Sequence, residues 1–446
     1  MIRNLAATFI FQQSSTLNLM EKKIRILIVS PTPWDDNNSF GNSFSNIFGG
    51  NPNYEIANIY LQEGLPNTSV CHRFFQISEK TLIRRILKPS TPIGKETYNA
   101  PGVKNVDSAM MKKAKVLRWQ VLFWVRDAIW ASGKWHSDSL DNFIRDFNPD
   151  IIFQPIFYEY YVNRIGLYAQ QLTGAPMIGY ISDDNYTLKQ FSLSPLYWID
   201  RLIKRRYVKR TIDHCQLLYV ITEQQRKEYN TIFGEKCKVL FKGGDFGSLP
   251  LYIPNEPVRY VYTGNLGSGR WKTLAALANS IERQNKDGQN AILEIYSATP
   301  LSQKALKSLS IEGSAYFKGR VDVSKVSAIQ SAADVLVHVE PFSLTERYTA
   351  RLSFSTKIVD YMAAGRAILG IGWEQSGAIV YLRENEAAAI VTDPKKMDDV
   401  VGRLTNEPDY RQSLAEESFR LGQRNHQIDE IRTRLYNDLV KYVDAK

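Results

Sequence analysis

Three residues of one short segment carry the first chemical signal. In SFSTKIVDYMAAGRAIL, residues 353–369, Asp360 follows Lys357 by three positions and Thr356 by four. On a helix that spacing places all three on one face, with the carboxylate about one turn, ~5 Å, beyond the other two. Ser355 is the expected N-cap, and Gly365 suits the left-handed residue that ends such a helix. An anion is stabilised at a helix start. Phosphate there and a carboxylate one turn deeper fit the diphosphate and ribose of one nucleotide. A surface Lys–Asp ion pair at helical spacing is the competing reading, and such pairs are common and weak.

A second segment raises the same chemistry. YVYTGNLGSGRWKTL, residues 260–274, reads as a strand, a glycine loop and a helix start that bears Arg270 and Lys272. Gly264 and Gly267 leave the loop backbone uncovered by side chains. GNLGSG does not complete GxGxxG with a downstream ribose acid, so in isolation it reads as a tight turn. Asp183 and Asp184 end a strand, where they either contact a ligand or cap the next helix. Glu340 also ends a strand, while His338, within VLVHVE, reads as a packed residue. Gly41, in PTPWDDNNSFGNSF, either brings a loop to acceptor or phosphate or makes a plain turn.

The elements that must position these residues alternate. Apolar, β-branched runs at 258–263, 291–296, 315–318, 334–339, 367–371 and 388–391 are separated by helical patterns such as 271–284, 323–332 and 375–384. That alternation predicts a parallel sheet with helices on both faces and ligands beyond the strands' carboxyl ends. The first half repeats the scheme with strands at 23–30, 150–154, 177–182 and 217–222. The expected organisation is a loose extension at 1–19, suggesting an upstream start codon, and an α/β domain over 20–250 with a helical insertion near 79–135. A second α/β domain covers 251–425, and a last helix with one apolar stripe covers 426–446. The boundary falls in the aperiodic stretch 245–257.

Composition narrows the classes. Of 446 residues, 44% are apolar, enough for two cores. Cys71, Cys215 and Cys237 show no CxxC spacing, and five scattered histidines give no HExxH, so no disulfide framework or metal site is expected. No apolar run reaches the roughly 20 residues of a spanning helix. Residues 1–250 hold 31 lysines and arginines against 22 acids, nearly all of the net +10. Basic, aromatic segments at 110–130 and 196–210 read as solvated faces, as a nucleic-acid surface without an accompanying motif, or as helices lying on an anionic membrane. The membrane reading is favoured.

YTGNLGSGRWK, YFKGRVDVSKVSAIQSAADVLVHVEPF and SFSTKIVDYMAAGRAIL together resemble the GT-B glycosyltransferases, specifically the large family four. FIRDFNPDIIFQP and LTGAPMIGYISDD are weaker echoes. The resemblance implies two Rossmann-like parallel-sheet domains facing a cleft, with the C-terminal helix crossing back to the first domain. It implies a nucleoside-diphosphate sugar as co-substrate, bound by the second domain, and no cofactor or metal. The backbone of the Gly264–Gly267 loop would approach the diphosphate closely. Arg270 and Lys272 would neutralise the leaving diphosphate, Arg320 and Val321 would meet the base, and Asp360 would hold the ribose. Arg351 offers a further sugar or phosphate contact, with Ser355, Thr356 and Lys357 at the phosphates. Asp183, Asp184 and Glu340 are the catalytic candidates. The family's pair of glutamates has seven residues between them, which with Asp360 as the second requires an acid at position 352, where Leu352 stands. Glu340 resembles the first by its local context. The implied activity is transfer, with retention, of a hexose-like sugar to a glycan or lipid-linked glycan of polysaccharide or envelope biosynthesis. The expected location is cytoplasmic or peripheral at the inner membrane face, with no nucleic-acid partner. A nucleotide-sugar epimerase and a non-catalytic sugar-nucleotide binder are the alternatives.

Overall fold

The computed structural model describes residues 23–101 and 120–445. The expected extension at 1–19 and residues 110–119 of the basic segment 110–130 lie outside them.

Fourteen strands make two sheets among the described residues. The first contains β1 (Ile24–Ser30), β2 (Tyr54–Tyr60), β3 (Arg73–Gln76), β4 (Lys95–Thr97), β5 (Ile151–Pro155), β6 (Met177–Ile181), β7 (Cys215–Val220) and β8 (Cys237–Val239), in the order β4-β3-β2-β1-β5-β6-β7-β8. All neighbours are parallel except β3 and β4. The second contains β9 (Val258–Thr263), β10 (Ala291–Tyr296), β11 (Ala315–Gly319), β12 (Val335–Val339), β13 (Ala367–Ile371) and β14 (Ala389–Val391), in the order β11-β10-β9-β12-β13-β14 and wholly parallel. Central strands such as IRILIVS and AILGI are buried along almost their whole length, as a sheet covered on both faces requires.

Each sheet reverses its strand order beside its first strand, between β1 and β5 and between β9 and β12. Those are the crevices where an open α/β sheet receives ligands. The chain passes between lobes twice, at 240–257 and again at the junction of helices Pro408–Asn425 and Ile428–Asp444. The two passages are tied together: Gly244 N–H donates to His426 O at 2.8 Å, and Ile428 N–H to Gly244 O at 3.0 Å.

The last helix returns to the first sheet, bearing out the expected crossing. Ile431, Leu435 and Leu439 recur at helical spacing and pack with Ile26, Ile28, Phe44 and Phe48. Arg432 Nε donates to Asn46 O at 3.0 Å, and Tyr219 OH to the Asp438 carboxylate at 2.9 Å. Burying that stripe fixes the last helix to the first lobe. The long polar loop after β1 is shorter than its composition predicts. The Asn38 side chain accepts from Gly41 N–H at 2.7 Å and starts a helix at Ser39.

Candidate active site between the lobes

The site forms where β9, β12 and the helix Lys357–Ala363 meet. Gly264 follows β9, and a Cβ on it would lie 1.9 Å from the Lys357 ammonium. Glycine is needed there because the lysine crosses its face. Lys357 also sits over the Tyr262 ring, 5.4 Å from the centroid. Arg270, the first residue of the helix Arg270–Gln284, donates from Nη2 to Glu340 Oε2 at 3.0 Å. Glu340 is buried at the end of β12, where its backbone is clamped: its N–H donates to Ile371 O, and its carbonyl accepts from Thr273 Oγ1.

Electrostatics couple these groups. Burial, reinforced by Arg270, pulls Lys357 down to about 8, against the pull of Glu340 and Asp360. Burial alone would push Glu340 up; His338 and Arg270 outweigh it and hold the carboxyl below the usual range. His338 Nε2 stands 3.4 Å from Glu340 Oε1. Sequence reasoning read His338 only as packed. Its two-residue separation from Glu340 on a strand, which puts both on one face, was the available signal.

A cavity of about 490 Å³ adjoins this cluster and separates the lobes. Asp36, Asn38 and Ser39 line it from the first lobe; Thr356, Lys357 and Asp360 line it from the second. Lys242, on the first passage between lobes, pairs with Asp360 at 2.7 Å. That partner had no sequence signal, because 118 residues separate the two.

The helix carrying Lys357 starts one residue later than expected. Thr356 occupies the cap position in helical geometry without a side-chain cap bond, and Ser355 contributes only its carbonyl, to Ile358 N–H. Gly365 takes the left-handed conformation, φ +62°, as predicted. Next to it Arg366 is buried and donates to the carbonyls of Ala364, Gly365, Ser331 and Leu251. One guanidinium thus satisfies loose carbonyls at two helix ends.

Other candidates are dispersed. Lys272 is exposed, its ammonium 5.9 Å from the centroid of its neighbour Trp271, so the structure joins Lys357 to Arg270 rather than to Lys272. Gly267 lies in the exposed part of the loop, its N–H donating to Asn265 Oδ1. Arg320 and Val321 follow β11, the outermost strand, with Arg320 exposed. Gly41 has its amide occupied by Asn38, and a Cβ there would meet Asp35 O at 2.1 Å. Its role in the structure is close packing of helix on loop.

Asp183, Asp184 and Arg351 belong to the contact between lobes. Asp184 is buried and accepts from Thr187 N–H, Thr187 Oγ1 and Arg351 Nη2, the last at 3.1 Å. Arg351 also donates to Glu228 at 2.6 Å. Both partners of Arg351 are in the first lobe, so the expected sugar or phosphate contact is a buried bridge instead. With its oxygens so engaged, Asp184 is not presented to a reacting group. Asp183 is exposed and accepts from Ser353 Oγ at 2.6 Å, again across the lobes. Among the described residues no three His, Cys, Asp or Glu side chains converge as a metal site requires.

Residues 257–407, the part of the chain that holds Gly264, Arg270, Glu340 and Lys357, match the family model described as Glycosyl transferases group 1. A comparison with curated proteins gave no match. Several solved structures are similar in fold, two of them over nearly the whole chain. Anabaena HepE, crystallised with UDP and glucose, aligns over 94% of this chain and 100% of its own at TM-score 0.59 and 10% identity. Sucrose-phosphate synthase from Thermosynechococcus elongatus aligns over 95% and 100%, with TM-score 0.60 and 12% identity. S. aureus TarM, crystallised with UDP and glycan ligands, aligns over 67% of this chain and 58% of its own, with TM-score 0.52 and 12% identity. At such identities the structural likeness is one of fold. With the family match it bears out the resemblance to a GT-B glycosyltransferase.

Proposed function

We propose, from the glycosyltransferase domain at 257–407 as premise, that the chain moves a sugar from a nucleoside diphosphate to a glycan acceptor. The observation that carries this reading is Lys357 lying across the face of Gly264 beside the second lobe's crevice, with Arg270 close enough to lower the lysine's pKa. Two cations and a glycine face suit a diphosphate, and they stabilise the negative charge that develops on it as the glycosidic bond breaks. Charge supplied in this way needs no metal ion. Asp360, with Lys242, is assigned to the ribose. In this reading Glu340, buried against Arg270 and His338, holds Arg270 toward the transferring sugar, and exposed Asp183 meets the acceptor from the first lobe. Transfer with retention is what the family resemblance implies. The relatives crystallised with UDP, UDP-glucose and glycan ligands support the substrate classes. The acceptor in this reading is a lipid-linked glycan, met at the inner face of a membrane.

Calorimetric titration with UDP and with GDP tests the assignment. Arg270→Ala and Lys357→Ala should each weaken the preferred nucleotide about tenfold or more, as expected for a lost charge-assisted contact. Unchanged affinity in both variants would remove the basis of the proposal.

A further inference from the structure

Three helices of the first lobe form one outward layer. The helix Gln120–Ala131 lies in the middle. On one side Trp130 Nε1 donates to Glu79 at 3.3 Å, and on the other Trp124 Nε1 donates to Asp200 at 3.0 Å. Lys204, 3.1 Å from Asp127, closes the second seam.

The helix Pro195–His214 is turned against ordinary expectation. Asp200, Arg201 and Lys204 are buried, while Leu196, Ile199 and Ile203 are each close to half exposed. Those three recur at i, i+3 and i+7, so they form a stripe, and the stripe continues into exposed Arg206 and Arg210. The helix Glu79–Leu87 repeats the pattern. Ile83 and Ile86 are exposed, Leu87 is 80% exposed, and Arg84 and Lys88 flank them. Val125, 53% exposed, is an outward apolar residue of the middle helix. Isolated apolar side chains on a surface mean little, but a layer of three helices with the same arrangement marks an interaction face.

The geometry points to an anionic lipid bilayer as the occupant of this face. Apolar stripes of this width insert to the headgroup boundary, while flanking arginines and lysines meet anionic headgroups. Charge decides against a second copy of the chain. A two-fold contact on this face would bring Arg84, Arg206 and Arg210 against the same set. The exposed acid of the long helix, Asp213, is already paired with Lys209 at 2.6 Å. The inference deepens the lipid-linked reading of the acceptor and rests on it for its purpose. Vesicle binding requires no nucleotide, so the two readings fail separately.

Co-sedimentation of the full chain with vesicles tests it. Vesicles containing phosphatidylglycerol should bind at least about tenfold more tightly than pure phosphatidylcholine at about 0.1 M salt, and the difference should shrink at about 0.5 M. Ile199→Asp with Ile203→Asp, and separately Arg206→Gln with Arg210→Gln, should each weaken that binding about tenfold or more. All four positions are exposed, so the melting temperature should stay at the parent value. Absence of binding, equal binding to both vesicle types, or variants that bind like the parent would overturn the assignment. So would a dimer that the same variants dissociate in the absence of any vesicle binding.

Discussion

At the scale of single residues, Lys357 is the group whose charge the site controls most closely. Burial and Arg270 lower it to about 8, so it is mainly protonated at neutral pH and mainly neutral about two units above. A nucleoside diphosphate needs the charged form. Affinity for UDP or GDP should therefore fall as pH rises from about 7 to about 9, with the midpoint displaced above 8 because the bound anion favours the ammonium. Lys357→Arg, charged throughout this range, should flatten the profile in calorimetric titrations. Equal slopes for both proteins would show that another group governs the dependence. Arg270 was legible in the sequence because a strand and a glycine loop lead into its helix, and Lys357 because it shares a face with Asp360 at the start of a short helix that Gly365 ends. Asp184 and Arg351 were not, because their roles depend on Glu228 and Thr187, and no local spacing announces a contact between lobes.

At the scale of elements, two glycines beside the same helix do different work. A methyl at Gly264 would press on the tip of a flexible lysine, which can yield, and would lie 2.9 Å from the Tyr262 hydroxyl, which need shift only slightly. Gly264→Ala should leave the melting temperature nearly unchanged and weaken nucleotide binding about tenfold by displacing the ammonium. A methyl at Gly365 would strain a left-handed residue and approach Pro250 Cδ at 2.8 Å. Gly365→Ala should cost ~1–2 kcal/mol and lower the melting temperature by a few degrees, with little direct effect on affinity. Paired thermal and binding measurements separate the two, and a reversed pattern would refute this division of roles. The strands of the second sheet were readable because continuous apolar runs ended in loops. The helix Ser39–Phe48 was not: Asn, Ser and Gly favour loops, and only its cap and the burial of Phe44 and Phe48 make it helical.

At the scale of the whole molecule, Arg351 fastens one lobe to the other. Replacing it with Met would leave Asp184 and Glu228 without their shared cation in a buried setting. Losing one partner of a buried pair typically costs ~3–5 kcal/mol, and less here because Asp184 keeps Arg201 at 3.6 Å and Glu228 keeps Lys189 at 2.9 Å. Arg351→Met should lower the melting temperature by several degrees and increase the radius of gyration in X-ray scattering as the lobes separate. An unaltered scattering profile together with an unaltered melting temperature would show that the bridge does not hold the lobes. The two-lobed plan was legible from strand–helix alternation and the aperiodic linker. The closure between lobes was not, since it depends on side chains that meet only after both sheets have formed.

The bonds joining Gly244 to His426 and Ile428 make the two passages of the chain act as one pivot. Any swing of the halves must turn about that pin, and sliding of one past the other is blocked. Lys242 lies two residues from it and reaches Asp360. The end of the cleft nearest this axis therefore travels least, so a nucleoside seated there keeps its surroundings whether the jaws stand open or shut.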